Sequence, residues 1–210
     1  GTLTLPIPND AALGIGAGGM VTKNLFIIGS LVDRNADPKR FWEGFDTFFD
    51  ESEYFKSIEL GWTPSHEEIY LNNTHLTLWQ ADERVEAGEA GGWGANFSWT
   101  RYWAEKWLPF VRAGYADDGG SLMQKSVSVG FGYQPDPGGN VLGFGLNWGE
   151  VNEDTWGPDL SDQLTSELYF RWNISPQFAL TPDIQYLVDP ALNPDEDSLW
   201  ILGLRARLAL

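Results

Sequence analysis

Ten charged and aromatic side chains in this sequence suit the recognition of hydroxyl groups or small anions. They stand in stretches where polar and apolar residues alternate: Glu59, Trp79, Phe110, Arg112, Glu167, Tyr169, Arg171, Asp183, Arg205 and Arg207. Arginine offers a planar fork of N–H donors, rings of charge set the selectivity of pores, and an aromatic ring offers a flat apolar face to a cyclic solute. The alternative is that the charged groups pair with each other across strands and that the rings fill an interior.

The last stretch, residues 198–210, shows how these side chains would be positioned. Leu202, Leu204 and Leu208 share one face of a strand, and Arg205 and Arg207 share the other, because strand side chains alternate with period two. In a soluble protein the leucine face would be buried. In a membrane barrel the leucines would face lipid and the arginines a wet lumen.

The same alternation predicts eleven strands, and the fold class is all-β. The predicted strands cover residues 11–22, 24–33, 54–63, 74–82, 93–103, 107–116, 126–134, 141–149, 165–173, 178–188 and 198–210. Each is close to the length that a tilted strand needs to cross a bilayer.

The connections between these strands favour the membrane interpretation. Short turns at residues 22–24, 104–106, 135–140 and 175–177, and a longer one at 64–73, alternate with longer acidic connections. Outer-membrane barrels have this arrangement, with short periplasmic turns and long outer loops. Tryptophan and tyrosine also gather near strand ends, as interfacial girdles require.

Composition excludes several functions. The net charge of −17 argues against nucleic acid as a partner, and without cysteine there is no thiolate metal site. His66 and His75 lack a metal-ligand spacing, no GxSxG motif is present, and no carboxylate spacing selects a glycosidase pair. We therefore expect no enzyme activity and no cofactor. Ca²⁺ at the acidic segments 117–118 and 195–197 is a weaker possibility than simple loop hydration.

The aromatic residues of the connection at residues 34–52 are too apolar for a freely solvated loop. We expect this loop to fold onto the barrel wall or into the mouth of the barrel, through Phe41, Trp42, Phe45, Phe48 and Phe49.

Four segments of the sequence resemble a known family. They are GFDTFFDESEYFKSIELGWTPS (residues 44–65), HLTLWQADERVEAGEAGGWG (75–94), RAGYADDGG (112–120) and LTPDIQYLVDPALNPDEDSLWILGLRARL (180–208). In these segments the chain resembles carbohydrate-selective porins of the OprB type.

The resemblance implies an antiparallel transmembrane β-barrel of about sixteen strands in the bacterial outer membrane, passing sugars by passive diffusion. Lipid and lipopolysaccharide would be its other partners. Because bacterial barrels have an even number of strands, eleven strands predict that residues 1–210 are the C-terminal portion of one barrel domain, which the missing N-terminal strands complete. Two alternatives remain open: a soluble all-β carbohydrate-binding module or hydrolase, and a barrel with an occluded lumen.

Overall fold

The computed structural model describes residues 3–6, 12–37, 39–136 and 138–209, with Phe41 described by its backbone alone. It contains the eleven predicted strands: β1 Gly14–Met20, β2 Leu25–Asp33, β3 Tyr54–Trp62, β4 Asn73–Ala81, β5 Gly92–Thr100, β6 Trp107–Asp118, β7 Met123–Tyr133, β8 Val141–Val151, β9 Gln163–Asn173, β10 Phe178–Val188 and β11 Ser198–Leu208.

All eleven strands form one antiparallel sheet in which each strand pairs with its neighbours in sequence. No pairing joins β1 to β11 among the described residues, so the sheet is not closed. The helices are single turns: 3₁₀ at Phe41–Glu43 and His66–Glu68, α1 Gly44–Asp46, π at Thr47–Glu51 and α2 Glu153–Trp156. No described helix is long and apolar enough to cross a membrane.

The connections are sorted between the two ends of the sheet. One end, here the turn end, carries the connections at residues 21–24, 63–72, 101–106, 134–140 and 174–177. The other, here the loop end, carries those at residues 34–53, 82–91, 119–122, 152–162 and 189–197. The predicted short turns therefore share one end.

The connection at residues 119–122 is shorter than predicted. Strands β6 and β7 reach beyond their predicted bounds at the loop end, because Asp117 and Asp118 stay paired with Trp93 and Gly92. A register shift between Met123 and Lys125 accompanies this extension of β7, as a β-bulge does.

The two faces of the sheet differ in composition. One face, here the outward face, is covered by exposed leucine, isoleucine, valine and aromatic side chains from all eleven strands. The other, here the inward face, carries serine, asparagine, glycine and the charged residues of the strand interiors. An exposed apolar surface of this extent is unusual for a soluble protein and is the pattern of a membrane barrel.

A soluble sandwich would bury the outward face under a second sheet. Phe97, Phe144 and Phe170 of that face are instead 37–40% exposed, and every described strand belongs to the same sheet. The described chain therefore has no second sheet to cover them.

Aromatic residues mark both edges of the outward face. At the turn end, the ring centroids of Trp107 and Tyr133 lie 4.4 Å apart. At the loop end, those of Trp93 and Tyr115 lie 5.6 Å apart. These positions match interfacial girdles, where amphipathic rings lie at the level of the lipid headgroups.

Glycines on the inward face let large rings lie flat on the neighbouring strand. The Tyr169 ring lies over Gly143, where a Cβ atom would be 2.2 Å from the ring, and the Trp79 ring lies over Gly94 in the same way, at 2.5 Å. A side chain at either glycine would push its ring toward the space enclosed by the sheet.

Candidate functional site

Strand pairing places all ten predicted pore-lining residues on the inward face. The register connects Glu59 to Thr77, Ser98 to Arg112, Tyr169 to Asp183 and Ala179 to Arg207, and the period of two carries the assignment along each strand. The ten inward residues are Glu59, Trp79, Phe110, Arg112, Glu167, Tyr169, Arg171, Asp183, Arg205 and Arg207.

Two of these residues, Glu59 and Arg112, line one polar cavity of about 380 Å³. Thr77 Oγ1 donates a hydrogen bond of 2.8 Å to Glu59 Oε2, and His75 Nε2 lies 3.8 Å from the same oxygen. The Arg112 guanidinium lies 5.2 Å from the centre of the Phe110 ring. The cavity therefore presents an anionic group, a cationic group and several hydroxyl and amide groups together.

Residues 3–6 lie across the inward face beside this cavity, which the sequence did not predict. Leu3 O accepts a hydrogen bond of 3.1 Å from Met123 N, and Thr4 Oγ1 donates one of 2.5 Å to Asn96 Oδ1. Leu5 packs against the core cluster that contains Phe55 and Trp79. Leu3, Thr4 and Leu5 alternate, but three residues before Pro6 are too few to predict a strand or its partner.

Three arginines stand near the turn end of β9 and β11. Arg171 and Arg207 line a second cavity of about 550 Å³, together with Asn173 and Gln177. Arg205 pairs in register with Thr181, and Arg207 with Ala179.

Two carboxylates lie closer to the loop end, on β9 and β10: Glu167 is in register with Gln185, and Asp183 with Tyr169. Among the described residues no ion pair joins them to Arg171, Arg205 or Arg207. The positive and negative groups therefore form separate zones.

The three aromatic residues of the predicted site differ in exposure. Trp79 is only 4% exposed, because its ring stacks on Phe55 with centroids 5.9 Å apart and Leu5 packs against their cluster. Phe110 and Tyr169 are half-buried. Of the three, Phe110 and Tyr169 remain partly accessible on the inward face.

The aromatic segment at residues 41–49 makes its contacts at the rim of the outward face. Phe48 packs edge-on against Tyr54, with centroids 5.0 Å apart, and Thr47 Oγ1 donates to Asp33 Oδ2; both partners belong to the outward row. Trp42, Phe45 and Phe49 are exposed, and the side chain of Phe41 lies outside the described residues. The contacts of Thr47 and Phe48 thus lie at the barrel wall.

A buried arginine joins three connections at the loop end. The Arg34 guanidinium donates to Asp82 O, to Glu89 Oε1 and, at 3.0 Å, to Gly119 O. Its side chain is 5% exposed. Burial lowers the pKa of Arg34, and the charge of Glu89 opposes that shift.

Polar partners extend this contact along the rim. Arg84 Nη1 donates to Glu89 Oε2 at 2.9 Å, and Arg84 Nε donates to Asn35 Oδ1 at 2.9 Å. Asn35 Nδ2 in turn donates to Glu53 Oε2 at 2.6 Å. These five residues, Arg34, Asn35, Glu53, Arg84 and Glu89, are here called the rim network.

Asp82, just after β4, makes the stability of the fold at the loop end depend on pH. Burial by itself would raise the pKa of Asp82, but hydrogen bonds from Lys56 Nζ, Tyr54 N and Gln80 Nε2, at 2.8–3.0 Å, hold it below its ordinary value of 3.8. A depressed carboxyl pKa stabilises the fold fully above the ordinary value, and this contribution is lost as the pH falls through the lower folded-state value.

We expect Asp82→Asn to be less stable than the parent protein at pH 7, with the difference shrinking as the pH falls below about 4. Urea unfolding of both proteins at several pH values measures this. Asp154→Asn, which alters an exposed carboxylate on the connection at residues 152–162, is the control. A difference that stays constant with pH would contradict the prediction.

In the part of the chain that the structure describes, no group of three or more histidine, aspartate or glutamate side chains is arranged to hold a metal ion. Asp117 Oδ2 accepts a hydrogen bond of 2.9 Å from Trp93 Nε1, and Asp118 Oδ1 accepts one of 3.2 Å from Thr155 Oγ1. Both carboxylates therefore have local structural partners.

Comparison with known proteins gives two matches. Residues 69–210 match the family described as carbohydrate-selective porin, OprB family. The fold is similar to the high-pH structure of Pseudomonas putida OprB, with a TM-score of 0.66 and 15% identity. This match covers 93% of the present chain and 58% of the other, so the chain spans a little over half of that protein. No curated protein sequence matches.

Proposed function

The chain belongs to the carbohydrate-selective porin family, OprB, and from this premise we propose that it forms the greater part of the wall of a pore that passes sugars by passive diffusion across the bacterial outer membrane. The observation that carries the proposal is that the charged, serine and asparagine side chains of the strand interiors share the inward face, backed by an exposed apolar outward face in every strand. Side chains in a wet lumen would face the solute, and the apolar side chains would face lipid.

Selection among solutes would come from the inward residues. Arg112, Phe110 and Tyr169 offer donors and ring faces suited to sugar hydroxyls and to the apolar faces of sugar rings. Additional strands would complete the wall, so that the whole barrel has about sixteen strands. Lipid and lipopolysaccharide would surround the barrel.

The proposed activity can be tested with the intact protein in liposomes. We expect swelling in isotonic monosaccharide, slower swelling in larger oligosaccharides, and none above protein-free liposomes for a polymer too large for the lumen. Equal rates with and without protein for every sugar would contradict a diffusion pore. A channel rather than an enzyme fits the family and fold, so the sugars recovered after the assay should be chemically unchanged.

A barrel with an occluded lumen is the second candidate, because residues 3–6 lie across part of the inward face. Their contacts reach β5, the start of β7 and the cluster around Trp79. Strands β8–β11 lie beyond these contacts. Absence of conductance in planar bilayers would favour the occluded barrel.

The arginines near the turn end lead to a prediction about the ion selectivity of the pore. Arg171→Ala and Arg205→Ala should each shift the reversal potential in a KCl gradient toward that of a cation-selective pore, because each removes a positive charge from the inward face. Lys125→Ala is the matched control: it removes a charge from the outward side at the loop end, where Lys125 is in register with Tyr115. An unchanged reversal potential in both arginine variants would reject a role in the pore.

A further inference from the structure

Arg101 is a cationic side chain at the turn end of the outward face. It follows β5 directly, and its backbone N–H still donates to Pro109 O of β6, at 3.3 Å. It stands two residues after Trp99, which is in register with Thr74, and Thr74 is in register with Trp62. These three residues form one outward row at the turn end, where the apolar surface stops.

The Arg101 side chain lies across that row. Its guanidinium carbon is 5.0 Å from the centre of the Trp62 ring and 5.7 Å from the centre of the Trp99 ring. Nη1 donates to Thr100 O and Nη2 to Thr74 Oγ1, both at 2.9 Å. The rings and these two bonds fix the position of the guanidinium, which limits the entropy lost when it binds a further group.

The guanidinium has donors left for another partner. Arginine carries five N–H donors, and two of them are used. Among the described residues no carboxylate makes an ion pair with Arg101. The acidic side chains of the neighbouring turn-end connections are Glu105 on its own connection, Glu67 and Glu68 on one side and Asp136 on the other. Glu68 Oε2 accepts a hydrogen bond from Asn72.

The neighbouring row toward the middle of the sheet is apolar. Leu60, Leu76 and Phe97 are in register with each other and are exposed on the outward face. A molecule with a phosphate at Arg101 and hydrocarbon chains along this row would match the surface in both charge and polarity, since guanidinium binds phosphate through parallel charge-assisted hydrogen bonds.

We propose that Arg101, held between Trp62 and Trp99, binds the phosphodiester of a glycerophospholipid at the turn-end edge of the barrel. The inference rests on the proposed membrane insertion. The short connections give the turn end a periplasmic position, so the lipid would belong to the leaflet on that side.

The test uses the intact, delipidated porin in detergent, titrated with phosphatidylglycerol and followed by native mass spectrometry. We expect Arg101→Gln to bind at least about ten-fold more weakly than the parent protein, the size of one lost charge-assisted hydrogen bond. Lys106→Gln removes an exposed cation of the same connection and should bind as the parent does. Arg101→Lys should fall between them, because it keeps the charge and loses the planar fork.

Equal affinity of the parent protein, Arg101→Gln and Lys106→Gln for phosphatidylglycerol would overturn the proposal. So would an Arg101→Gln variant that keeps phosphatidylglycerol binding and loses binding of lipid A. If Arg101→Gln does not fold, Arg101→Lys carries the test, and parental affinity there would overturn the planar-fork site. Liposome swelling separates this proposal from the pore. Weakened lipid binding with normal sugar flux in Arg101→Lys supports the lipid site, whereas absent sugar flux in the parent protein contradicts the pore alone.

Discussion

Replacing Arg34 with methionine should lower the free energy of unfolding by about 3 kcal/mol, near the lower end of the range for breaking a buried ion pair. The change leaves Asp82 O and Gly119 O without their donor and removes one of the two cations that bind Glu89. Glu89 keeps its ion pair with Arg84 and its side chain is 27% exposed. We therefore do not expect a loss at the upper end of the range for a buried ion pair. Methionine preserves much of the packing volume, so the loss reports the polar contacts.

Urea unfolding of the intact protein in lipid vesicles measures this loss. Arg40→Met is the matched control, because Arg40 also pairs with two carboxylates, Asp37 and Glu43, but stands in solvent; exposed pairs of this kind contribute little. We expect no measurable change there. Equal stability of the Arg34 variant and the parent protein would show that the rim network does not hold the loop end together.

The same variant should loosen the loop end locally. Arg34 follows β2, Glu89 lies between β4 and β5, and Gly119 lies between β6 and β7, so one side chain joins connections from six strands. Amide hydrogen exchange should therefore increase at residues 82–91 and 119–122 while the strand interiors stay protected, since local opening affects the least stable segments first.

The sequence predicted the strands and their faces because both depend on a local pattern with period two. Leu202, Leu204, Arg205 and Arg207 show their two faces without any knowledge of partners, and neighbouring strands carry the same pattern. The ends of β6 and β7 were missed because Asp117 and Asp118 are poor strand formers. They remain paired through backbone bonds to β5, which side-chain types do not reveal.

Contacts between connections could not be predicted in this way. Arg34 binds Glu89 and Gly119, 55 and 85 positions away, and Thr4 binds Asn96 across 92 positions. Such contacts have no repeat in the sequence. The aromatic segment at residues 41–49 illustrates the same limit. Its composition predicts packing, but aromatic rings pack equally well on a barrel wall or in its mouth, and no pattern in the sequence indicates the contact of Phe48 with Tyr54.

The assignment of faces leads to a test on two adjacent residues of β10. Ile184 is exposed on the outward face, in register with Leu168 and Leu202. Gln185 is on the inward face, in register with Glu167. Both lie near the middle of Phe178–Val188, so an arginine at either position adds the same charge at nearly the same depth.

Ile184→Arg should destabilise the folded barrel by about 2–4 kcal/mol, the cost of a lipid-facing arginine at the middle of a bilayer. Gln185→Arg should cost far less, because the new guanidinium faces water and the Glu167 carboxylate opposite it. It should also move the reversal potential toward that of an anion-selective pore. Urea unfolding in vesicles and bilayer recordings measure the two effects. If Gln185→Arg proved the more destabilising and Ile184→Arg changed the selectivity, the two faces would have to be exchanged for every strand, because the register connects β10 to all the others.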